Sequence, residues 1–211
     1  MNDPKTPYKF TNNWFRAGAV VFWDKLLPKI QPRKVLEIGS YEGASATYLI
    51  ERNDWCEELE LWCVDTWEGG IEHKAKDTAM NTVEKNFDHN IKVARKTASN
   101  QTKVHKAKGF SDKQLALLLA HGHEGTFDFI YVDGSHQAPD VLVDAVLAFK
   151  LCKVGGHIAF DDYLWAENLH YGRDPLRSPK MAIDAFTNIF FRKVTVLKGP
   201  LYQLYVQKVA D

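Results

Sequence analysis

Four polar residues at the ends of two apolar runs have the types and spacing to do chemistry. Phe127-Asp128-Phe129-Ile130-Tyr131-Val132 leads into Asp133-Gly134-Ser135-His136, and the run His157 to Phe160 leads into Asp161-Asp162-Tyr163. If these runs are adjacent strands, Asp133, Asp161 and Asp162 sit close together. Clustered carboxylates repel, so they need protons, basic partners or a metal. Oxygen-only ligation favours a hard divalent cation such as magnesium, with water or substrate oxygens completing the shell. The plainer alternative has one Asp capping the next helix and another binding loop N–H groups. His136 could take the proton of a hydroxyl polarised by that metal, because an imidazole with a pKa of about 6.5 is suited to the task near neutrality. A structural histidine is the competing reading.

A second constellation lies in Lys34-Val35-Leu36-Glu37-Ile38-Gly39-Ser40-Tyr41-Glu42-Gly43-Ala44-Ser45, a short apolar strand, a glycine-punctuated turn and the start of a helix. Such a turn lets a ligand approach the backbone and aims helix N–H groups at it. A dinucleotide site would carry G-x-G-x-x-G. Here only Gly39 and Gly43 are present, with Tyr41 in the middle position, and the Glu42 carboxylate would repel a pyrophosphate. Glu37 suits a cationic ligand, and S-adenosylmethionine carries both an ammonium and a sulfonium. An ordinary strand-to-helix turn is the alternative.

The elements that must position these groups follow in order. Residues 11–30 read as one leading helix, capped by Thr11, Asn12 or Asn13 and ended by Pro28 and Pro32, packing on the sheet edge or serving as part of a lid. The strand Leu59 to Asp65 ends in an acid placed to accept ribose hydroxyls, followed by Thr66 and by Trp67, which either faces a nucleoside or fills the core. Ile71 to about Ser99 is helix-prone, with Ala75, Ala79, Val83 and Phe87 on one face and His73 and His89 exposed. A short strand, about Lys103 to Ala107, delivers Gly109-Phe110-Ser111-Asp112. Ser111 or Asp112 caps the helix that ends at Gly122, and the same loop would border an adenine ring. A helix from about Ala138 to Leu151 follows, Gly155-Gly156 turns into the strand His157 to Phe160, and another helix covers roughly Pro179 to Phe190. Two last strands, about Arg192 to Leu197 and Leu201 to Lys208, joined by Lys198-Gly199-Pro200, imply an antiparallel hairpin.

Alternating strands and helices of this kind predict an α/β fold: a Rossmann-like, doubly wound, mostly parallel seven-stranded sheet with an antiparallel C-terminal hairpin. Every candidate group then falls at the carboxyl end of a strand, on the sheet edge where ligands bind. The 211 residues suit a single domain, with 1–33 as a helical extension and 34–211 as the core. Lysine plus arginine equals aspartate plus glutamate at 27 each, so no net field draws the chain to nucleic acid or an anionic membrane. With no signal-like apolar run or membrane-length stretch, the expectation is a cytoplasmic protein. Cys56, Cys63 and Cys152 lack a C-x-x-C pair and read as reduced, packed thiols.

The pieces Glu37 to Ser45, Val64-Asp65-Thr66-Trp67, Val132 to His136 and Asp161-Asp162 resemble class I S-adenosylmethionine-dependent methyltransferases. Within these, the resemblance is to the small cation-dependent O-methyltransferases of the catechol, caffeoyl-CoA and macrolide-sugar types. It runs from about Lys34 to the end of the chain. It implies that Tyr41 and Ser45 contact the methionine part of the cofactor, Asp65 the ribose, and Phe110 and Ser111 the adenine. The implied cofactor set is Glu37, Gly39, Tyr41, Gly43, Ser45, Asp65, Thr66, Trp67, Phe110, Ser111 and Asp133; the metal set is Asp133, Asp161 and Asp162; the catalytic pair is His136 and Asp133. His136 falls where the catechol type has a lysine base and the sugar-modifying type a histidine. Asp162 stands where the catechol branch has an asparagine. Both departures turn the expectation from a catechol toward a sugar or similar hydroxylated small molecule. The readings left standing beside this one are a metal-independent methyltransferase, a nicotinamide-dependent oxidoreductase and a cofactor-binding subunit without catalysis. The leading helix and the final hairpin are the elements available to a homo-oligomer.

Overall fold

The computed structural model describes residues 7–70 and 80–211. Among them, seven strands form one sheet: β1 Lys34–Ile38, β2 Glu58–Asp65, β3 Gln101–Lys108, β4 Phe127–Val132, β5 Cys152–Phe160, β6 Val194–Val196 and β7 Leu204–Lys208. Their spatial order is β3-β2-β1-β4-β5-β7-β6. The first five pair in parallel, and β7 runs antiparallel to both β5 and β6. The expected architecture is therefore present. β1 and β4 hold the centre because nearly every side chain is apolar and buried on both faces. β3 alternates toward solvent, as an edge strand must.

Helices α1 Trp14–Gly18, α2 Val20–Ile30, α3 Ala44–Arg52 and α4 Met80–Thr97 pack on one face of the sheet. Helices α5 Ser111–Ala120, α6 Ala138–Leu151 and α7 Lys180–Ile189 pack on the other. Each face has its own apolar core, centred on Trp23, Leu49 and Phe87 on the first and on Ile130, Phe149 and Phe186 on the second. All three cysteines are free and buried. No helix among the described residues is long and apolar enough to cross a membrane.

Several expected boundaries move, each for a local reason. The leading segment is two helices, and Pro28 lies inside α2 instead of ending it. Pro28 and Asp24, whose carbonyl loses its donor, are both exposed, so water meets the orphaned oxygen. The helix ends instead at Gln31, whose φ of 46° is left-handed. Gly155 and Gly156 lie within β5, not ahead of it: the register against β4 shifts between Phe127 and Phe129, and Gly155 takes a φ of 85° there. β7 begins at Leu204, and Tyr202 and Gln203 leave the strand to serve the site described below. The N-terminal position of α5 is Phe110, not Ser111 or Asp112, and its side chain makes no capping bond. His89 is half-buried with Nε2 at 2.8 Å from the Pro7 carbonyl, so it is tied down instead of exposed. His73, Ala75 and Ala79 lie outside the described residues.

Glu42 also departs from expectation. Its carboxylate is taken up by protein groups. Oε2 accepts from the Thr11 backbone N at 2.6 Å and from Thr11 Oγ1 at 3.1 Å, and Oε1 accepts from Asn86 Nδ2 at 2.8 Å. Asn90 completes the clasp, donating to the Glu42 carbonyl and accepting from the Lys9 backbone N. One buried acid thereby joins the N-terminal strap, the glycine turn and α4. Replacing it strands the buried Asn86 amide and the part-buried Thr11 N–H, each costing about 1–3 kcal/mol. Glu42→Ala is expected to lose about 3 kcal/mol in urea unfolding and to speed proteolytic cleavage ahead of Trp14; unchanged stability and cleavage would dismiss the clasp.

Candidate active site

The carboxyl ends of the parallel strands are stitched one rung past the last ladder pair. Gly39 N donates to the Val64 carbonyl at 2.8 Å, Asp133 N to Ile38 at 2.8 Å, Asp161 N to Val132 at 2.9 Å and Gly109 N to Asp65 at 2.9 Å. Extending the register by that rung lines up Asp65, Gly39, Asp133 and Asp161 across adjacent strands. Neighbours in such a row are about 4.8 Å apart. Gly39 must be glycine for two reasons that need no ligand. Its φ is 86°, and a Cβ there would fall 2.0 Å from the Asp133 carbonyl oxygen.

On one side of Gly39 the turn is held by carboxylates. Asp65 Oδ2 accepts from the backbone N of Ser40 at 2.9 Å and of Tyr41 at 2.8 Å, and Oδ1 accepts from Trp67 N at 2.6 Å. These bonds keep Tyr41 and Trp67 in left-handed backbone at φ 46° and 51°, a conformation costly for bulky side chains. Trp67 is buried, donates Nε1–H to the Tyr41 carbonyl at 2.9 Å, and has Phe87 at 4.8 Å and Lys106 at 4.6 Å against its ring. Its ring is thus packed, and it pins the turn. Thr66 Oγ1 accepts from Glu68 N at 3.1 Å, closing the loop.

Gly43, with φ 78°, leads into α3, and Phe87 lies 3.0 Å from where its Cβ would be. Glu37 lies beneath this turn, wholly buried, with Ser45 Oγ donating to its Oε1. Burial pushes its carboxyl up to about 7, against the lowering effect of Ser40, Ser45 and Cys63. It therefore lies below the turn with no solvent-facing contact, and burial favours its neutral form. Phe110 is exposed at the end of β3, and Ser111 begins α5 beside Asp144, whose carboxyl burial pushes up to about 7.

The other side of Gly39 is an acid cluster. Asp133, Ser135, His136, Asp161 and Asp162 line a cavity of about 10 Å³, walled by Val132, Phe160 and Ile183. That is room for about one water-sized occupant. Burial holds Asp133 well above the ordinary carboxylate range, and the charges of Asp161, Asp162 and Glu37 push it further. Asp161 is raised by burial and by Asp162. The basic side chain paired with the cluster is His136, its Nε2 2.8 Å from Asp162 Oδ2. Trp165 stacks on the imidazole at 4.1 Å, and its backbone N donates to the Asp162 carbonyl. Asp162 itself sits at φ 54°.

In charge and donor type the three acids fit a hard divalent cation. They do not form a closed shell: among the described residues no three or more His, Cys, Asp or Glu side chains are gathered as an ion site. Asp162 is shared with His136, and Asp161 already accepts from Tyr131 and Gln203. Of the residues expected from sequence, Asp133, His136, Asp161 and Asp162 come together. Glu37, Gly39, Tyr41, Gly43, Ser45 and Asp65 also come together, on the adjoining side. Tyr131, Trp165 and Gln203 were missed. Tyr131 carried a signal, a hydroxyl at the buried end of an apolar strand that must find a partner; the other two lie in stretches without periodicity.

The raised Glu37 sets a pH test. Its folded pKa, about 7, exceeds the ordinary carboxyl value of 4.5, so the stability it contributes is present below 4.5 and lost as pH rises through 7. Glu37→Gln should therefore gain stability at pH 8, on the order of 3 kcal/mol, and none at pH 4. Denaturation at both pH values checks it, and equal effects at the two would contradict the burial argument.

Comparisons with known proteins agree with this fold. Residues 36–163 match a family model described as a methyltransferase domain. The "Probable caffeoyl-CoA O-methyltransferase 3" of Dictyostelium discoideum is 27% identical over 165 residues, which cover 74% of this chain and 57% of that protein. The chain thus spans little more than half the length of the curated relatives it matches. An O-methyltransferase from Bacillus cereus, solved with SAH, superposes with a TM-score of 0.62 at 17% identity, over 96% of this chain and 84% of that one. The MycE methyltransferase of the mycinamycin biosynthetic pathway, solved with Mg and SAH, gives a TM-score of 0.60 at 18% identity, over 97% and 52% of the two chains. These two structures speak for the fold, and the family match covers the strands and turns that build the site. The chain belongs to the methyltransferase-domain family.

Proposed function

We propose that this protein transfers the methyl group of S-adenosylmethionine to a hydroxyl of a small acceptor, a sugar or similar hydroxylated metabolite, with magnesium held by Asp133, Asp161 and Asp162. The observation that carries the reading is the row Asp65, Gly39, Asp133 and Asp161, with Glu37 buried beneath it. Asp65 has accepting capacity beyond its backbone bonds, since two carboxylate oxygens offer about four lone-pair sites. It would take the ribose hydroxyls there. Tyr41 and Ser45 would border the methionine part, and Phe110 and Ser111 the adenine. A cationic ammonium or sulfonium above the turn would draw the buried Glu37 carboxyl to its ionised form and be favoured by it.

The reaction breaks the sulfonium carbon–sulfur bond and forms a carbon–oxygen bond to the acceptor, leaving S-adenosylhomocysteine. The acceptor's proton goes to His136, whose imidazolium the Asp162 carboxylate steadies. A bound divalent cation would supply Lewis-acid polarisation of the acceptor hydroxyl. The remaining contribution of the chain is orientation of the two reactants. Trp165, stacked on His136, and the half-exposed Tyr202 give the acceptor side aromatic surface.

A metal-independent methyltransferase is the second reading, favoured by the sharing of Asp162 with His136 and by the absence of a gathered ion site among the described residues. Calorimetric titration with S-adenosylmethionine and with NAD, each with magnesium or excess chelator, separates the readings. Binding of S-adenosylmethionine together with a magnesium heat lost in Asp161→Ala supports the first; cofactor binding without magnesium heat supports the second; NAD binding alone sinks both. His136→Ala should slow methyl transfer by about 10²–10⁴-fold while cofactor affinity stays within about twofold. Full turnover in that variant would move the base elsewhere.

A further inference from the structure

Asp161 stands at the end of a buried hydrogen-bond chain that begins far away in sequence. Trp23 Nε1 in α2 donates to Tyr205 Oη in β7 at 3.1 Å, across 182 positions. Tyr205 Oη donates to Gln203 Oε1. Gln203 Nε2 donates to Asp161 Oδ1 at 2.9 Å. Trp23, Gln203 and Tyr205 are each buried to within 3% of full occlusion.

The direction of the chain is forced by its first member. An indole nitrogen can only donate, so Tyr205 Oη accepts there and must place its own hydrogen elsewhere. The Gln203 carbonyl oxygen receives it, which turns the amide nitrogen toward Asp161. The opposite amide orientation would set a carbonyl oxygen against a carboxylate and leave the buried Tyr205 hydrogen without an acceptor.

Counting lone pairs on Asp161 then gives a sharp result. Oδ1 accepts from Gln203 Nε2 and from the Asp162 backbone N at 2.8 Å, which fills its two sites. Oδ2 accepts from Tyr131 Oη, leaving one site. We propose that Trp23, Tyr205 and Gln203 are positioning residues that saturate Oδ1 of Asp161, so that Asp161 meets the cation through Oδ2 alone, as a monodentate ligand. This rests on the cation reading above, and it assigns α2 and β7 a part in the site.

Full-length wild type, Gln203→Leu, Tyr205→Phe and Trp23→Phe would be titrated with Mn²⁺ by electron paramagnetic resonance and with S-adenosylmethionine by calorimetry, with thermal unfolding alongside. Groups that orient a metal ligand cost about 10–100-fold in metal affinity when removed. Gln203→Leu should weaken Mn²⁺ binding by about that factor, Tyr205→Phe and Trp23→Phe by less in that order, and none should move cofactor affinity more than about twofold. Tyr205→Phe keeps the ring, so the chain stays testable if Gln203→Leu fails to fold. Mn²⁺ affinity equal to wild type in the folded variants overturns the proposal. So does a parallel loss of cofactor affinity, which would mark general damage to the site. Wild type that binds S-adenosylmethionine but no Mn²⁺ overturns the cation reading and the ligand assignment with it, a failure visible before any variant is compared.

Discussion

The in-register parallel ladder is the constraint on which everything else depends. Ile38 pairs with Val64 on one side and with Val132 on the other, and Val132 pairs with Phe160. The next rung therefore delivers Asp65, Gly39, Asp133 and Asp161 side by side. A slip of one residue on any strand would turn its side chain to the other face of the sheet and dissolve the row. Register is fixed by burial, because β1 and β4 are apolar on both faces and have no solvent side to turn toward. The core thus specifies the site, and it carries the buried Glu37 and Tyr131 into it. Gly39 is where the two demands meet, since the backbone of Asp133 occupies the space of any side chain there.

The row is asymmetric in how its charges are met. Asp65 is satisfied from within by the N–H groups of Ser40, Tyr41 and Trp67. Those bonds offset the left-handed backbone of Tyr41 and Trp67, each costing about 1–3 kcal/mol. Asp133 is raised by burial and by Asp161, Asp162 and Glu37, and Asp161 by burial and by Asp162, with the His136 imidazole as basic partner to the cluster among the described residues. One half of the site is complete as folded. The other half is held under electrostatic tension that a proton or a cation relieves.

Much of this was legible in sequence, for identifiable reasons. Strand and helix alternation is written in apolar periodicity, and acids after apolar runs mark strand ends, so the sheet and the positions of Asp65, Asp133 and Asp161 could be read directly. Side-chain direction could not. Glu42 looks like a charge beside the ligand, yet it points to Thr11 and Asn86, partners supplied by a strap and a helix distant in sequence. Trp67 offers the same lesson, since Phe87 and Lys106 occupy its ring. Helix breaks depend on solvent: Pro28 is tolerated where it and Asp24, whose carbonyl loses its donor, are both exposed residues. Trp165 and Gln203 lie in irregular chain, where no period announces them.

The two ends of the chain are drawn into the site by different means, and the difference bears on what each can vary. The N-terminal strap reaches the turn through the buried Glu42 clasp, and α1 sets Trp14 against Tyr41 at 5.6 Å. The C-terminal strand reaches the acid cluster through Gln203, while the Tyr202 carbonyl accepts from Tyr163 N at 2.8 Å at the start of the loop that carries Trp165. On the turn side, backbone N–H groups of Ser40, Tyr41 and Trp67 converge on the one carboxylate of Asp65 at a strand end. The acid side is bound by side chains on loops, where a substitution changes shape without disturbing the ladder. On the function proposed above, a fold built this way would keep the cofactor side fixed by the turn while the acceptor side is redrawn by a few side chains such as Trp165 and Tyr202.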